Sequence, residues 1–221
     1  MLYIVSTPIG NLEDITLRAL RILKEVDYIA AEDTRHSKIL LNKYEIKTQL
    51  LSFHSYSSDN KLQKIIELLK EGKNIALISD AGTPGISDPA YTLIQEALKN
   101  DIKIVPIPGP SALLAAIVLS GLPMNQFLYL GFLPVKKGRQ TLFKKLAQNQ
   151  KKDTHTIVIF ESPHRLLKTL QQISEYLGDV KITACREMTK IHEEAIRGNI
   201  KEVYEHFLKN PPRGEFVLVI H

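Results

Sequence analysis

The run Glu32-Asp33-Thr34-Arg35-His36 sets two carboxylates, a guanidinium and an imidazole within five consecutive positions. Asp33 or His36 can accept a proton, and Arg35 can hold a phosphate or orient a carboxylate. The same residues also suit purely structural work. Asp33 or Thr34 fits the cap of a helix beginning near Arg35, and Glu32 fits an ion pair with Arg35. A second kind of chemistry is written in residues 79–89, Ser-Asp-Ala-Gly-Thr-Pro-Gly-Ile-Ser-Asp-Pro, which follow the apolar run Ile75-Ala76-Leu77-Ile78. Glycines there let backbone approach a ligand closely, and prolines fix the path of the chain. Three further stretches have the same character: residues 6–11 (Ser-Thr-Pro-Ile-Gly-Asn), 106–112 (Pro-Ile-Pro-Gly-Pro-Ser-Ala) and 160–165 (Phe-Glu-Ser-Pro-His-Arg). One such stretch is an ordinary turn, but four after apolar runs point to a shared pocket. Residues 53–60 add His54 and Tyr56 in a polar loop suited to a surface or to RNA.

The elements that must position these loops follow from the apolar pattern. Runs at 2–5, 28–31, 75–78 and 102–107 read as strands buried on both faces. Helical patterns lie between them: one capped by Asn11 and carrying Ile15, Ala19, Ile22, Leu23 and Val26, one over 61–71 stopping at Gly72, and one started by Asp88-Pro89. This alternation predicts a mainly parallel sheet with helices on its faces. Ligands in such sheets bind beyond the carboxyl ends of the strands. A helix over 111–120 joins a second half. Strands are expected there at 127–132, 156–160, 180–185, 194–197 and 216–220, and helices at 140–148, 163–176 (capped by Ser162) and 200–208 (capped by Asn199). The fold class is α/β, in two domains spanning residues 1–114 and 115–221.

Charge is distributed unevenly. Residues 102–152 carry 8 Lys/Arg and no acidic residue, while the flanking segments are slightly acidic, and the whole chain has a formal net charge of +5. A single-sign concentration that includes Lys136, Lys137, Arg139, Lys144, Lys145, Lys151 and Lys152 suits a polyanion such as nucleic acid. One cysteine, Cys185, excludes an internal disulfide, and no Cys/His spacing suggests a metal. The first apolar stretch is short and is interrupted by Pro8 and Gly10, and the apolar stretch 112–122 is too short to span a bilayer, so a cytoplasmic protein without a membrane partner is expected. No G-x-G-x-x-G, Walker A or G-x-S-x-G sequence is present, which disfavours dinucleotide enzymes, P-loop NTPases and serine hydrolases. The residues alone lead to a two-domain α/β protein with a small-molecule pocket and a basic patch.

Six segments carry a resemblance over nearly the whole chain: 6–16 (STPIGNLEDIT), 31–37 (AEDTRHS), 79–90 (SDAGTPGISDPA), 106–116 (PIPGPSALLAA), 160–166 (FESPHRL) and 186–194 (REMTKIHEE). Together they resemble the bacterial small-subunit ribosomal RNA cytidine 2′-O-methyltransferases of the tetrapyrrole methylase superfamily, the class III methyltransferases. Precorrin methylases and diphthine synthase differ at two of these places, with a G-x-G-P-G-D-like first loop and a G-D-P second loop. The resemblance implies two α/β domains, S-adenosylmethionine in the cleft between them, a homodimer, and 16S rRNA in the small ribosomal subunit as partner. It places Pro8 and Gly10 beside the cofactor on the first loop, Asp80, Gly82, Gly85 and Ile86 on the second, and Ser111 and Ala112 on the third. Phe160 and Met188 would close over the adenosine.

The implied reaction is in-line attack of a ribose 2′-oxygen on a sulfonium methyl. Alignment of the two reactants supplies roughly 7–11 kcal/mol of such a barrier, and a proton must leave the hydroxyl. Asp33, Arg35 and His36 are the catalytic candidates, and Lys136, Lys137 and Arg139 are the expected contacts to rRNA phosphates. Many members of the family continue into a helical C-terminal extension, whereas this sequence stops at His221. The competing readings are a class III methylase acting on a tetrapyrrole or other small molecule, and a catalytically silent rRNA-binding assembly factor.

Overall fold

The structure, a computed structural model, describes residues 1–54, 59–87, 90–150 and 155–221. The expected Asp88-Pro89 helix start, Tyr56, Lys151 and Lys152 lie outside the described residues. The chain divides into two compact units, Met1–Ser111 and Ala112–His221.

In the first unit the order is β1 (Leu2–Val5), α1 (Leu17–Glu25), β2 (Tyr28–Ala31), α2 (Thr34–Lys43), β3 (Gln49–Ser52), α3 (Asp59–Lys70), β4 (Ile75–Ile78), α4 (Ala90–Lys99) and β5 (Ile104–Ile107). The five strands pair in parallel in the order β3-β2-β4-β1-β5. Alternate side chains leave the sheet on opposite faces, which explains why the strand runs are apolar throughout. Val5, Ile29, Ala31, Ala76 and Ile78 form one core with Ala19, Ile22 and Leu23 of α1 and Leu40 and Leu41 of α2. Leu2, Ile4, Ala30, Ile75 and Leu77 form the other with Ile65, Ile66 and Leu69 of α3 and Ala90, Leu93 and Ala97 of α4. Because the strands are parallel, all five carboxyl ends emerge at one edge of the sheet.

Two details differ from the sequence reading. Asn11 caps only a single 3-10 turn, Leu12–Asp14, by accepting the Glu13 N–H. Extended backbone at Ile15 ends that turn, and α1 has its own cap in Thr16, whose side chain accepts the Ala19 N–H. The edge strand β3 is unanticipated, because Gln49-Leu50-Leu51-Ser52 lacks β-branched residues and is only half-buried.

The second unit runs α5 (Ala112–Ser120), β6 (Phe127–Phe132), α6 (Arg139–Gln150), β7 (Thr156–Glu161), α7 (Leu166–Leu177), β8 (Lys181–Arg186), β9 (Glu194–Asn199), α8 (Ile200–Lys209) and β10 (Phe216–Ile220). Its sheet, ordered β6-β7-β10-β8-β9, is parallel only between β6 and β7. The core joins Ile157, Ile159, Ile182, Phe216 and Leu218 to Phe143 and Leu146 of α6, Leu170 and Ile173 of α7, and Val203 and Phe207 of α8. Helix α5 packs on β8, β9 and β10, so the two units divide at its start rather than within its first turn. Helix α7 begins at Leu166 rather than at Pro163. Residues 162–165 close as one turn through Arg165 N–H to Ser162 O, and the Ser162 N–H is taken by Glu161 Oε1.

Candidate active site

In the first unit the loops after β1, β2, β4 and β5 are hydrogen-bonded into one assembly at the carboxyl edge of the sheet. Thr7 and Gly82 exchange backbone bonds in both directions, at 2.9 and 3.0 Å, and so zip the first loop to the second. The Thr7 hydroxyl donates to Ser79 O at 3.0 Å, and the Ser6 and Thr83 hydroxyls share a bond of 2.8 Å. Thr83 also donates to Pro110 O at 3.4 Å, and Ser6 N–H donates to Ile107 O, which brings in the loop after β5. The Asp80 carboxylate accepts the Asp33 N–H at 3.1 Å and so attaches the loop after β2. The glycines and prolines of residues 6–11, 79–89 and 106–112 were the visible sign of this web. The hydroxyls themselves gave no pattern, because Ser and Thr are common in any turn.

Two glycines show why the loops are so small. Gly82 has φ +77°, a backbone conformation in which an L side chain is strained, and a Cβ there would sit 3.4 Å from the Ile9 side chain. A Cβ at Gly109 would come within 3.0 Å of the Ser6 Cβ. Pro8 is buried behind this web, whereas Gly10, Gly85 and Ile86 lie on its exposed rim. Ser111 and Ala112 are half-buried at the end of the third loop.

Asp33 performs the capping role that its position allowed. Its Oδ1 accepts the Arg35 N–H at 2.8 Å at the start of α2. The Arg35 guanidinium then returns to the same carboxylate, Nε to Oδ1 at 3.2 Å and Nη2 to Oδ2 at 2.8 Å. Arg35 therefore pairs with Asp33. The Arg35 side-chain bonds, followed by its backbone N–H, hold the Asp33 carboxyl well below the usual carboxylate range. So stabilised an anion is a poor proton acceptor. His36 is exposed in the first turn of α2, beside the pair.

In the second unit Phe160, near the end of β7, meets Tyr129 and Phe132 of β6 edge-on, with ring centroids 5.2 and 5.7 Å away. Met188 is buried in the turn after β8, between Glu187 (φ 48°) and Thr189 (φ 66°), both in the left-handed region that non-glycine residues seldom occupy. Lys190 ties that turn down through Glu187 Oε1 at 2.9 Å and Glu215 Oε2 at 3.0 Å. Arg186 pairs with Glu194 at 3.0 Å.

The basic triad separates. Lys136 and Lys137 are exposed on the loop between β6 and α6. Arg139, expected on rRNA phosphates, is instead 4% exposed and bonded within its own unit. Its Nε donates to Gln172 at 2.7 Å, Nη1 to Pro134 O at 3.2 Å and Nη2 to Thr169 at 2.7 Å, with Glu161 at 3.9 Å. Charge counting along a sequence cannot distinguish an arginine that faces solvent from one that serves a buried carboxylate.

Among the described residues no group of three or more His, Cys, Asp or Glu side chains is placed to hold a metal ion, and no helix is long and apolar enough to cross a membrane.

The profile of the family described as Tetrapyrrole (Corrin/Porphyrin) Methylases matches residues 1–204, and the chain belongs to that family. Its relatives narrow the placement. A protein of Thermotoga maritima named ribosomal RNA small subunit methyltransferase I is 52% identical over 219 residues, covering 99% of this chain and 97% of its own length. Its namesake from Bacillus subtilis is 48% identical, covering 100% of this chain and 74% of its own, so proteins under that name differ in length. Among solved structures, diphthine synthase superposes with a TM-score of 0.76 at 14% identity, over 99% of this chain and 88% of that one. The methyltransferase CobJ superposes with a TM-score of 0.73 at 17% identity, over 99% and 92%. These two likenesses concern the fold alone.

Proposed function

We propose that the chain is an S-adenosylmethionine-dependent methyltransferase of small-subunit ribosomal RNA, acting on the ribose 2′-oxygen of a cytidine in the decoding region, cytidine 1402. The near full-length identity to proteins named for that RNA favours this reading over a tetrapyrrole substrate. A silent assembly factor is disfavoured because the loop web with its glycine at φ +77° is intact.

The single structural observation that carries the reading is the convergence of four strand-end loops through Thr7, Asp80, Gly82 and Thr83. That surface fits the cofactor chemically. The web is built of backbone and small polar side chains with the Asp80 carboxylate among them, a lining suited to an amino acid group and a ribose. The residues assigned to cofactor contact are Pro8, Gly10, Asp80, Gly82, Gly85, Ile86 and Ser111 of the first unit and Ala112, Phe160 and Met188 of the second. When bound, the cofactor supplies an electrophilic methyl on a sulfonium.

The remaining work falls to the segment 32–36. The Asp33 carboxylate fixes the Arg35 guanidinium as a bidentate partner, leaving its outer edge directed to an RNA phosphate. His36, exposed in the first turn of α2 next to the Asp33–Arg35 pair, takes the proton lost by the 2′-hydroxyl. Lys136 and Lys137 hold phosphates and set orientation without choosing sequence. Choice of the cytidine comes from the shape of folded RNA, with the 2′-hydroxyl marking the target as RNA. The protein works in the cytoplasm as a homodimer. Exposed Leu114 and Val118 on α5 supply apolar surface for such an association.

A comparison of acceptors tests the substrate assignment. Assembled small subunits lacking the modification are expected to be methylated much faster than protein-free 16S RNA, because a site read by shape exists only once the RNA is folded. Equal rates on the two acceptors would contradict it.

A further inference from the structure

The buried charges around Arg139 serve no step of the reaction described above. Glu161 closes β7 with its carboxylate 2% exposed, and it meets Thr169 Oγ1, the Ser162 N–H and, at 3.3 Å, Arg165 Nε. Burying such a group costs several kcal/mol unless it is fully partnered, so the arrangement needs a reason beyond packing. The reason lies where the two arginines reach next. Arg165 Nη2 donates to Leu133 O at 2.6 Å, and Arg139 Nη1 donates to Pro134 O at 3.2 Å. The Arg139 N–H closes a turn onto Lys136 O at 3.3 Å. Both ends of the segment 133–138 are thus tied to one buried carboxylate, while Lys136, Lys137 and Gly138 between them are exposed.

We propose that Arg139, Arg165 and Glu161 form a clamp that presents Lys136 and Lys137 to RNA phosphate in a fixed geometry. The two arginines are positioning residues, and the inference rests on the reading of this loop as a phosphate contact. A loop already ordered loses less entropy when it binds, so the clamp acts on affinity through the lysines it holds. It also explains why a basic segment contains one buried arginine.

The experiment is a double-mutant cycle read as affinity for small ribosomal subunits, using Arg165→Met, the pair Lys136→Ala/Lys137→Ala, and the two combined. Arg165→Met is chosen because its side chain is 25% exposed and its loss is less apt to unfold the protein. It is expected to weaken subunit binding about three- to tenfold and to speed amide exchange at residues 135–138. Added to the lysine pair, it is expected to cost nothing more. Arg139→Lys, which keeps the charge but cannot make three directed bonds, is expected to behave the same way. Effects that multiply would overturn the clamp, because the arginine would then act independently of the lysines. Unchanged subunit affinity in the lysine pair alone would instead overturn the phosphate contact on which the clamp depends.

Discussion

Asp33, Arg35 and His36 are neighbours in sequence but not equals in chemistry. The doubly bonded Arg35 lowers the Asp33 carboxyl far enough that this group does not titrate between pH 5 and 8. The sign of the linkage follows: what the pair contributes is present above the ordinary carboxylate range and is lost only as pH falls through the lowered value. His36→Ala should lower kcat by about a hundredfold or more, the usual contribution of a positioned proton acceptor. Asp33→Asn should instead raise KM for subunits while retaining most of kcat. A His36→Ala enzyme with normal kcat would refute the assignment. Cys185 gives a simpler prediction. Burial pushes its thiol up to about 12, so a native protein should resist thiol reagents and react only on unfolding.

At the scale of elements, β1, β2 and β4 were legible because each is a short apolar run buried on both faces. The edge strand β3 was not, since half-buried Leu50 and Leu51 between polar residues carry no distinctive period. The loops after β1, β4 and β5 could be placed from their glycines and prolines. Their mutual bonds could not, because the partner of a hydroxyl is set by three-dimensional register rather than by spacing. Arg139 shows the same limit: residue type named a cation, and only the buried Glu161 decided which way it faces. The loop web makes Gly82 a sensitive position. Gly82→Ala forces a side chain into left-handed backbone, costing about 1 kcal/mol or more, and should weaken S-adenosylmethionine binding as measured by calorimetry. Unchanged cofactor affinity in a folded Gly82→Ala protein would remove that loop from the cofactor site.

For the molecule as a whole, the uneven charge makes RNA association salt-dependent. Each phosphate contact contributes a slope of roughly −0.7 to −0.9 in log K against log salt. Replacing Lys136 and Lys137 by alanine should therefore flatten the slope by about 1.5, weakening binding without changing which nucleotide is modified. An unaltered slope would move the phosphate contacts elsewhere in the basic segment. Which atom of which polymer receives the methyl group is read directly by one measurement. Small subunits from cells lacking this protein would be incubated with it and with S-adenosylmethionine carrying a labelled methyl, and the 16S RNA digested to nucleosides. Label in 2′-O-methylcytidine from the decoding region is the predicted result. Label on a base, or no transfer by a protein shown to bind the cofactor, would contradict the account.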